Sequence, residues 1–264
     1  MGARRTEHLL VKSIGWTLVA AIALPIIVLI GVSLNAGIEQ VFPPRGLSLR
    51  WYTGILERQR FLDAAKLTLL LAIGSSIVSV TLATLAGLAI VRGRFVGRDL
   101  ILTFLLSPLI VPQVVVGMAF LVTLSAIGIF SSLISLAVLH CVITLPFGAR
   151  VIVSALGQAP IALEEAAQSL GAPPAVAFLK VTLPVIRPGV VAGGIFSFVT
   201  SFENFTASQF LVWDRTTLPV EIYTFVQTES DPTAAAISSL IVLTVIAFVI
   251  VFNRFVSRYM FAGR

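Results

Sequence analysis

The chain has 264 residues, of which 58% are hydrophobic and 11% charged, with a net charge of +6 and a mean hydropathy of +1.04. A water-soluble domain carries about a quarter charged residues, so this chain has too few to cover a surface facing water, and its solvent is largely lipid. The positive balance would suit nucleic acid in a soluble protein, but here the basic residues stand in short clusters between apolar runs, which is the pattern of topology signals and headgroup contacts rather than of nucleic-acid binding.

Taken in chain order, the apolar runs predict about six membrane helices, each needing roughly 20 mostly apolar residues. Arg4 and Arg5 precede the first, residues 14–34, which is longer than the apolar core of a secretion signal and so reads as a retained span. Residues 67–91 form the second. Between Asp99 and Arg150 there is no formal charge, a length that suits a tight helical hairpin turning near Gly128 to Ser132. It gives a third span over 100–126 and a fourth over 133–149. The fifth is placed at 190–210, with Glu203 as its one ionisable residue, and the sixth at 234–252. Backbone polar groups in lipid must bond within their own segment, and there is no alternation of short strands, so the fold is all-α and the whole of 1–264 reads as one transmembrane domain.

Orientation follows from basic residues near the span ends. With the N-terminus inside, Arg4, Arg5, Lys12, Arg92, Arg94, Arg98, Arg150, Lys180, Arg187, Arg254, Arg258 and Arg264 are cytoplasmic, against Arg45, Arg50, Arg58, Arg60, Lys66 and Arg215 outside. Twelve against six places both termini in the cytoplasm, with Gln168 inside and Ser230 outside. Two connections are longer than turns. The outer one, residues 35–66, carries Trp51-Tyr52, a candidate interfacial anchor. The inner one, 150–188, holds helix signals: Pro160 at the start, Glu164 and Glu165 where the dipole favours acids, then Gly171 and Pro173-Pro174 as a stop. They predict a short exposed helix over 161–170.

That inner loop reads Glu165-Ala166-Ala167, three residues, Gly171, nine residues, Val181-Thr182-Leu183-Pro184. It resembles the EAA loop of ABC importer permeases, with Val181 where the family pattern has isoleucine. The stretch Ser107-Pro108-Leu109-Ile110-Val111-Pro112 resembles the proline-containing span of the same family. Ser201-Phe202-Glu203-Asn204-Phe205, with Thr217-Leu218-Pro219-Val220 and Ile222-Tyr223, looks like its polyamine (spermidine/putrescine) branch, which also takes in permeases for opines, phosphonates and ferric iron. The resemblance implies a multi-pass inner-membrane subunit of a binding-protein-dependent importer. Two cytosolic ABC ATPases would dock on the loop, a second permease chain (or, failing that, a copy of this one) would complete the pathway, and a soluble binding protein outside would deliver solute. The coupling residues it implies are Glu164, Glu165, Ala166, Ala167, Leu170, Gly171, Leu183 and Pro184.

The chain has no phosphate-binding loop of its own, since Gly93-Arg94-Phe95-Val96-Gly97-Arg98 lacks both the spacing and the Lys-Ser/Thr pair. ATP and Mg²⁺ therefore belong to the partner ATPase, and this chain is expected to bind no cofactor. His8 and His140 stand far apart without cysteine or carboxylate neighbours, which speaks against a metal site. Cys141, the single cysteine, excludes an intrachain disulfide and reads as a packing residue. An integral membrane enzyme would need reactive groups gathered at one depth, whereas the sequence offers isolated ones. An ion channel would have no need of the loop spacing. For the solute path the candidates are Glu203, Asn204, Ser201 and Gln209. An ionised side chain at the bilayer centre costs about 2.5–3.5 kcal/mol on insertion scales, so it usually faces a wet or protein-lined interior.

Overall fold

The computed structural model describes the backbone of residues 2–229 and 231–261, with side chains over 11–229, 231–247 and 250. The side chains of Arg4, Arg5, His8, Arg254 and Arg258, and the residues Ser230 and Arg264, lie outside that description. Among the described residues the structure is helical, apart from turns, loops and one isolated bridge between Asn35 and Leu47.

The helices are α1 (Gly2–Ser33), α2 (Arg50–Glu57), α3 (Gln59–Arg92), α4 (Arg98–Leu106), α5 (Gln113–Ala126), α6 (Ser132–Gln158), α7 (Ile161–Ser169), α8 (Pro174–Ala177), α9 (Leu183–Phe202), α10 (Leu218–Thr228) and α11 (Thr233–Phe261). A π-helical turn, Phe178–Thr182, fuses α8 to α9. Four stretches are long and apolar enough to cross a membrane unaided: Val11–Ser33, Gln59–Arg92, Ser132–Gln158 and Pro174–Phe202. The bent pair α4 and α5 makes a fifth, and α11 contributes a further apolar run over Thr233–Ala247. The all-α, polytopic expectation holds.

Three expected boundaries are corrected. The third span, expected unbroken over 100–126, is two helices meeting at 99°. Its 3₁₀ turn Ser107–Leu109 contains Pro108, and α5 begins only after Pro112, whose ψ of 131° is extended. Two prolines remove two helical N–H donors; Ser107, before Pro108, keeps a helical conformation, and the chain leaves the helical region at Pro112. The fourth span does not stop at 149: α6 continues to Gln158, because Arg150 ends the apolar run but not the helix. The inner connection, expected over 150–188, is therefore short between its helices. The fifth span, expected over 190–210, runs from Pro174 to Phe202. It ends where Asn204 folds back on itself, its Oδ1 accepting from both the backbone N–H and the hydroxyl of Ser208, the local bonding by which Asn competes with helix.

The chain divides into two compact units, Met1–Leu62 with Ile222–Arg264, and Asp63–Glu221. In the first, α11 packs against α1 and α2. The loop between α1 and α2 is knotted around Asn35. Its Oδ1 accepts from the backbone of Gly37 and Arg45, its Nδ2 donates to the Glu39 carbonyl, and its own carbonyl takes the Trp51 indole N–H at 2.7 Å. Tyr52 pairs with Ser33 at 2.6 Å, so both aromatics of the expected anchor hold this loop. Arg58 bridges Glu229 and Asp231, 3.0 Å from each, and lies over the Phe225 ring.

In the second unit α6 and α9 form the principal packed pair. Their backbones meet at small residues: a Cβ on Gly193 would stand 3.4 Å from the Gly148 Cα, a close approach that suits helices associating in lipid by packing alone. Buried apolar side chains form two layers. One gathers Leu67, Leu71, Leu124, Leu136, Leu139, Ile143, Ala207 and Leu211, the other Ala83, Ala149, Ile152, Leu156, Ala159 and Ile186.

Candidate functional site: the inner loop and the far end of α9

The inner loop is shaped by its sequence, residue by residue. Pro160, with φ −62° and ψ 120°, sets the corner from which α7 starts. The helix ends with Gly171 N–H bonded to the Gln168 carbonyl at 2.9 Å and Ala172 N–H to the Ala167 carbonyl at 3.1 Å, the crossed pair of bonds that satisfies the last carbonyls of a helix. Gly171 sits at φ +91°, where a side chain is strained and glycine is not. Pro173 and Pro174 then redirect the chain into α8.

The two adjacent acids have opposite surroundings. The Glu164 side chain is 15% exposed; its Oε2 accepts from the Thr182 hydroxyl at 3.0 Å and lies 3.6 Å from the Arg92 Nε. Arg92 also donates through Nη2 to the Ala159 carbonyl at 3.0 Å. Leu183 packs on the layer containing Ile152, Leu156 and Ile186. Glu165, Ala166, Gly171 and Pro184 are exposed, Ala167 is half-buried, and Leu170 is 89% exposed. The eight candidate coupling residues thus divide: Glu164 and Leu183 point into the chain, and the others, Ala167 only in part, offer a small, smooth surface to whatever lies beyond it. Arg92 carried no signal of this role in the sequence, where it reads as one topology charge among several.

At the other end of α9 the candidates also divide. Glu203 is the C-cap and exposed; its backbone N–H donates to the Val199 carbonyl, while its carboxylate has no hydrogen bond or ion pair among the described residues. It stands at the end of the helix rather than well inside a span as expected. Ser201 and Asn204 are buried. Ser201 Oγ is 2.6 Å from His140 Nδ1 and accepts from the Ser75 hydroxyl at 3.1 Å. His140, 1% exposed, reaches Ser208 through Nε2 at 3.0 Å. Asn204 donates to Gln113 Oε1 at 2.9 Å. Gln209 donates to the Thr206 carbonyl. A hydrogen-bonded net therefore joins α3, α5, α6 and α9, although its members look isolated in sequence. Ser75, His140, Ser201, Asn204 and Ser208 are buried, Gln113 is exposed, and none of the net's members is a carboxylate, so its main effect is to bind helices together.

Between these ends, a cavity of 620 Å³ opens beside α6 and α9, with Leu109, Phe147, Arg150, Ser154, Gln158 and Phe196 in its wall. On the far side, the loop after α9 is pinned to the start of α6. The Asp214 carboxylate accepts the Ser132 N–H at 2.9 Å, while Ser132 Oγ accepts the backbone N–H groups of Trp213, Asp214 and Arg215. Hydrogen bonds from the Ser132 backbone and then its side chain hold the Asp214 carboxyl below its ordinary value.

Residues 79–261 match the family described as binding-protein-dependent transport system inner membrane component. The chain is 28% identical over 235 residues to the spermidine/putrescine transport system permease protein PotC of Escherichia coli strain K12, covering 88% of each. It is 28% identical to the putrescine transport system permease protein PotI of the same strain, covering 90% of this chain and 86% of that one. The molybdenum transport system permease protein ModB of Haemophilus influenzae is 29% identical over 72% of this chain and 91% of its own length. Among solved structures, a bacterial ABC transporter involved in the import of the acidic polysaccharide alginate superposes with a TM-score of 0.71 over 95% of both chains at 14% identity, a likeness of fold alone.

Proposed function

The chain belongs to the binding-protein-dependent transport system inner membrane components, and from that premise we propose that it forms half of the solute path of a polyamine importer, with α7 as the contact for its motor. As a member of that family it is a multi-pass inner-membrane permease of an ABC importer and not an enzyme. The observation that carries the motor contact is the division within the inner loop. One acid, Glu164, fastens α7 to the chain, and the exposed surface of Glu165, Ala166, Leu170 and Gly171 is left for a partner. Small residues let a groove of an ATPase come close, and the fastening lets its movement reach α9.

In this reading two ATPases carry ATP and Mg²⁺, and both termini lie in the cytoplasm. A second permease chain faces this one, and a soluble binding protein delivers solute from outside. Residues 1–264 act as one permease domain. Polyamine is favoured because two relatives named for spermidine or putrescine align over nearly the whole chain, and because Glu203 presents an exposed carboxylate at the outer end of α9. A fixed anion attracts a polycation most where water is partly excluded. Proteoliposomes holding the complete transporter, supplied with the binding protein and ATP, test the substrate. Uptake of labelled spermidine or putrescine is expected. Uptake of molybdate, a phosphonate, an opine or ferric iron in place of both would overturn the polyamine reading and leave the family standing.

A further inference from the structure

Arg92 is the last residue of α3, far in sequence from the inner loop, yet its guanidinium lies in the corner where three elements meet. Nη2 holds the carbonyl of Ala159, the first of the two residues between α6 and α7. Nε faces Glu164 in the first turn of α7, and the same carboxylate oxygen holds Thr182, at the junction of the π-helical turn and α9. Both charged side chains are mostly buried, at 18% and 15% exposed. A planar guanidinium reaches two acceptors from one position, which an ammonium on a flexible stem does not do in the same way. At 3.6 Å the Nε is too far for a hydrogen bond, and it has no other acceptor. The pair is thus held together by charge with a donor still unused, so a small inward shift of α7 would strengthen it.

We propose that Arg92 is a positioning residue that latches α7 to the inner end of α3, so that a push on α7 moves α3 together with α9 rather than α9 alone. The loop spacing acquires a physical reason on this basis: Glu164 must reach Thr182 across the turn at Gly171, and the chain between them is the length that closes that circuit. This inference rests on α7 being the motor contact.

The test uses the complete transporter in proteoliposomes, with spermidine as the solute and ATP hydrolysed per spermidine imported as the readout, alongside the amount of ATPase that copurifies. Arg92→Lys keeps the topology charge but not the two-acceptor geometry. Arg92→Lys and Glu164→Gln are each expected to raise ATP spent per spermidine about tenfold, equivalent to about 1.4 kcal/mol, while the ATPase copurifies normally. Together they should do no more than either alone, since both break one latch. An unchanged ratio in Arg92→Lys, or effects that multiply in the double variant, would overturn the latch. Gly171→Asp is the separate arm: normal copurification and import in that variant would remove the motor contact itself, whatever the latch variants show.

Discussion

The two ends of α9 use polar side chains in opposite ways. At the inner end, polar and small residues of one short stretch are turned outward, and a single buried acid ties them to the chain. At the outer end, Ser201 and Asn204 are turned inward to His140, Ser75, Ser208 and Gln113, and only Glu203 faces out. The first arrangement leaves a surface for another protein. The second uses up its hydrogen-bonding capacity within the chain. A polar residue near a membrane is thus informative about function mainly when the fold leaves it unspent.

The contrast breaks most readily at Gly171. Gly171→Asp puts a side chain at φ +91° and a charge on the docking surface, and import should fall more than tenfold, with ATPase copurification reduced. Measured uptake within twofold of the unchanged chain would mean that the outward surface is not used. At the other end, His140→Ala removes the centre of the net and leaves the hydroxyls of Ser201 and Ser208 short of a partner. Ser201 keeps its bond from Ser75 and Ser208 its bond to Asn204, so the loss is two buried hydrogen bonds, each worth about 0.5–1.5 kcal/mol, and the detergent-solubilised protein should unfold at a lower temperature. An unchanged melting temperature would show that the net does not hold the helices.

How far the sequence disclosed these two ends follows from where the partners lie. The inner loop was legible because its determinants are neighbours: proline, acid, glycine and proline act over one helical turn each, and the motif spans one connection. The apolar runs of α1 and α11, the start of α6 and the ends of α7 were visible in the same way, whereas α2, α10 and the last turns of α6 were not. The outer net was hidden because Ser75 and Ser201, or Asn204 and Gln113, are separated by 126 and 91 residues and meet only after helices pack. The partners of Arg92 were hidden for the same reason, lying in another connection. The break in the third span was written in Pro108 and Pro112, yet hydropathy averaged over a window passes across both.

Smaller effects sharpen the comparison. Glu203, the unspent carboxylate, should matter to solute and not to stability. Glu203→Gln is expected to raise the half-saturating concentration of spermidine a few-fold, with basal ATP hydrolysis and melting temperature unchanged; unaltered uptake kinetics would reduce it to an interfacial charge. Asp214, by contrast, is spent on Ser132. Its carboxyl is lowered in the folded chain from an ordinary 3.8, so its contribution to stability is present above that value and is lost as pH falls through the lower folded one. The decline in melting temperature below about pH 4 should be slightly shallower in Asp214→Asn, and identical acid profiles would show that the Ser132 contact carries no charge-dependent stability.

The outward surface of α7 is the centre of the account, and proximity tests it most directly. A single cysteine at Gln168, exposed on α7, in a Cys141→Ala background, should form a short cross-link to the copurified ATPase in inside-out vesicles, with a yield that changes when ATP is bound. Labelling of that cysteine from outside intact cells, or its failure to cross-link in a complex that still imports, would contradict the proposed role of the loop.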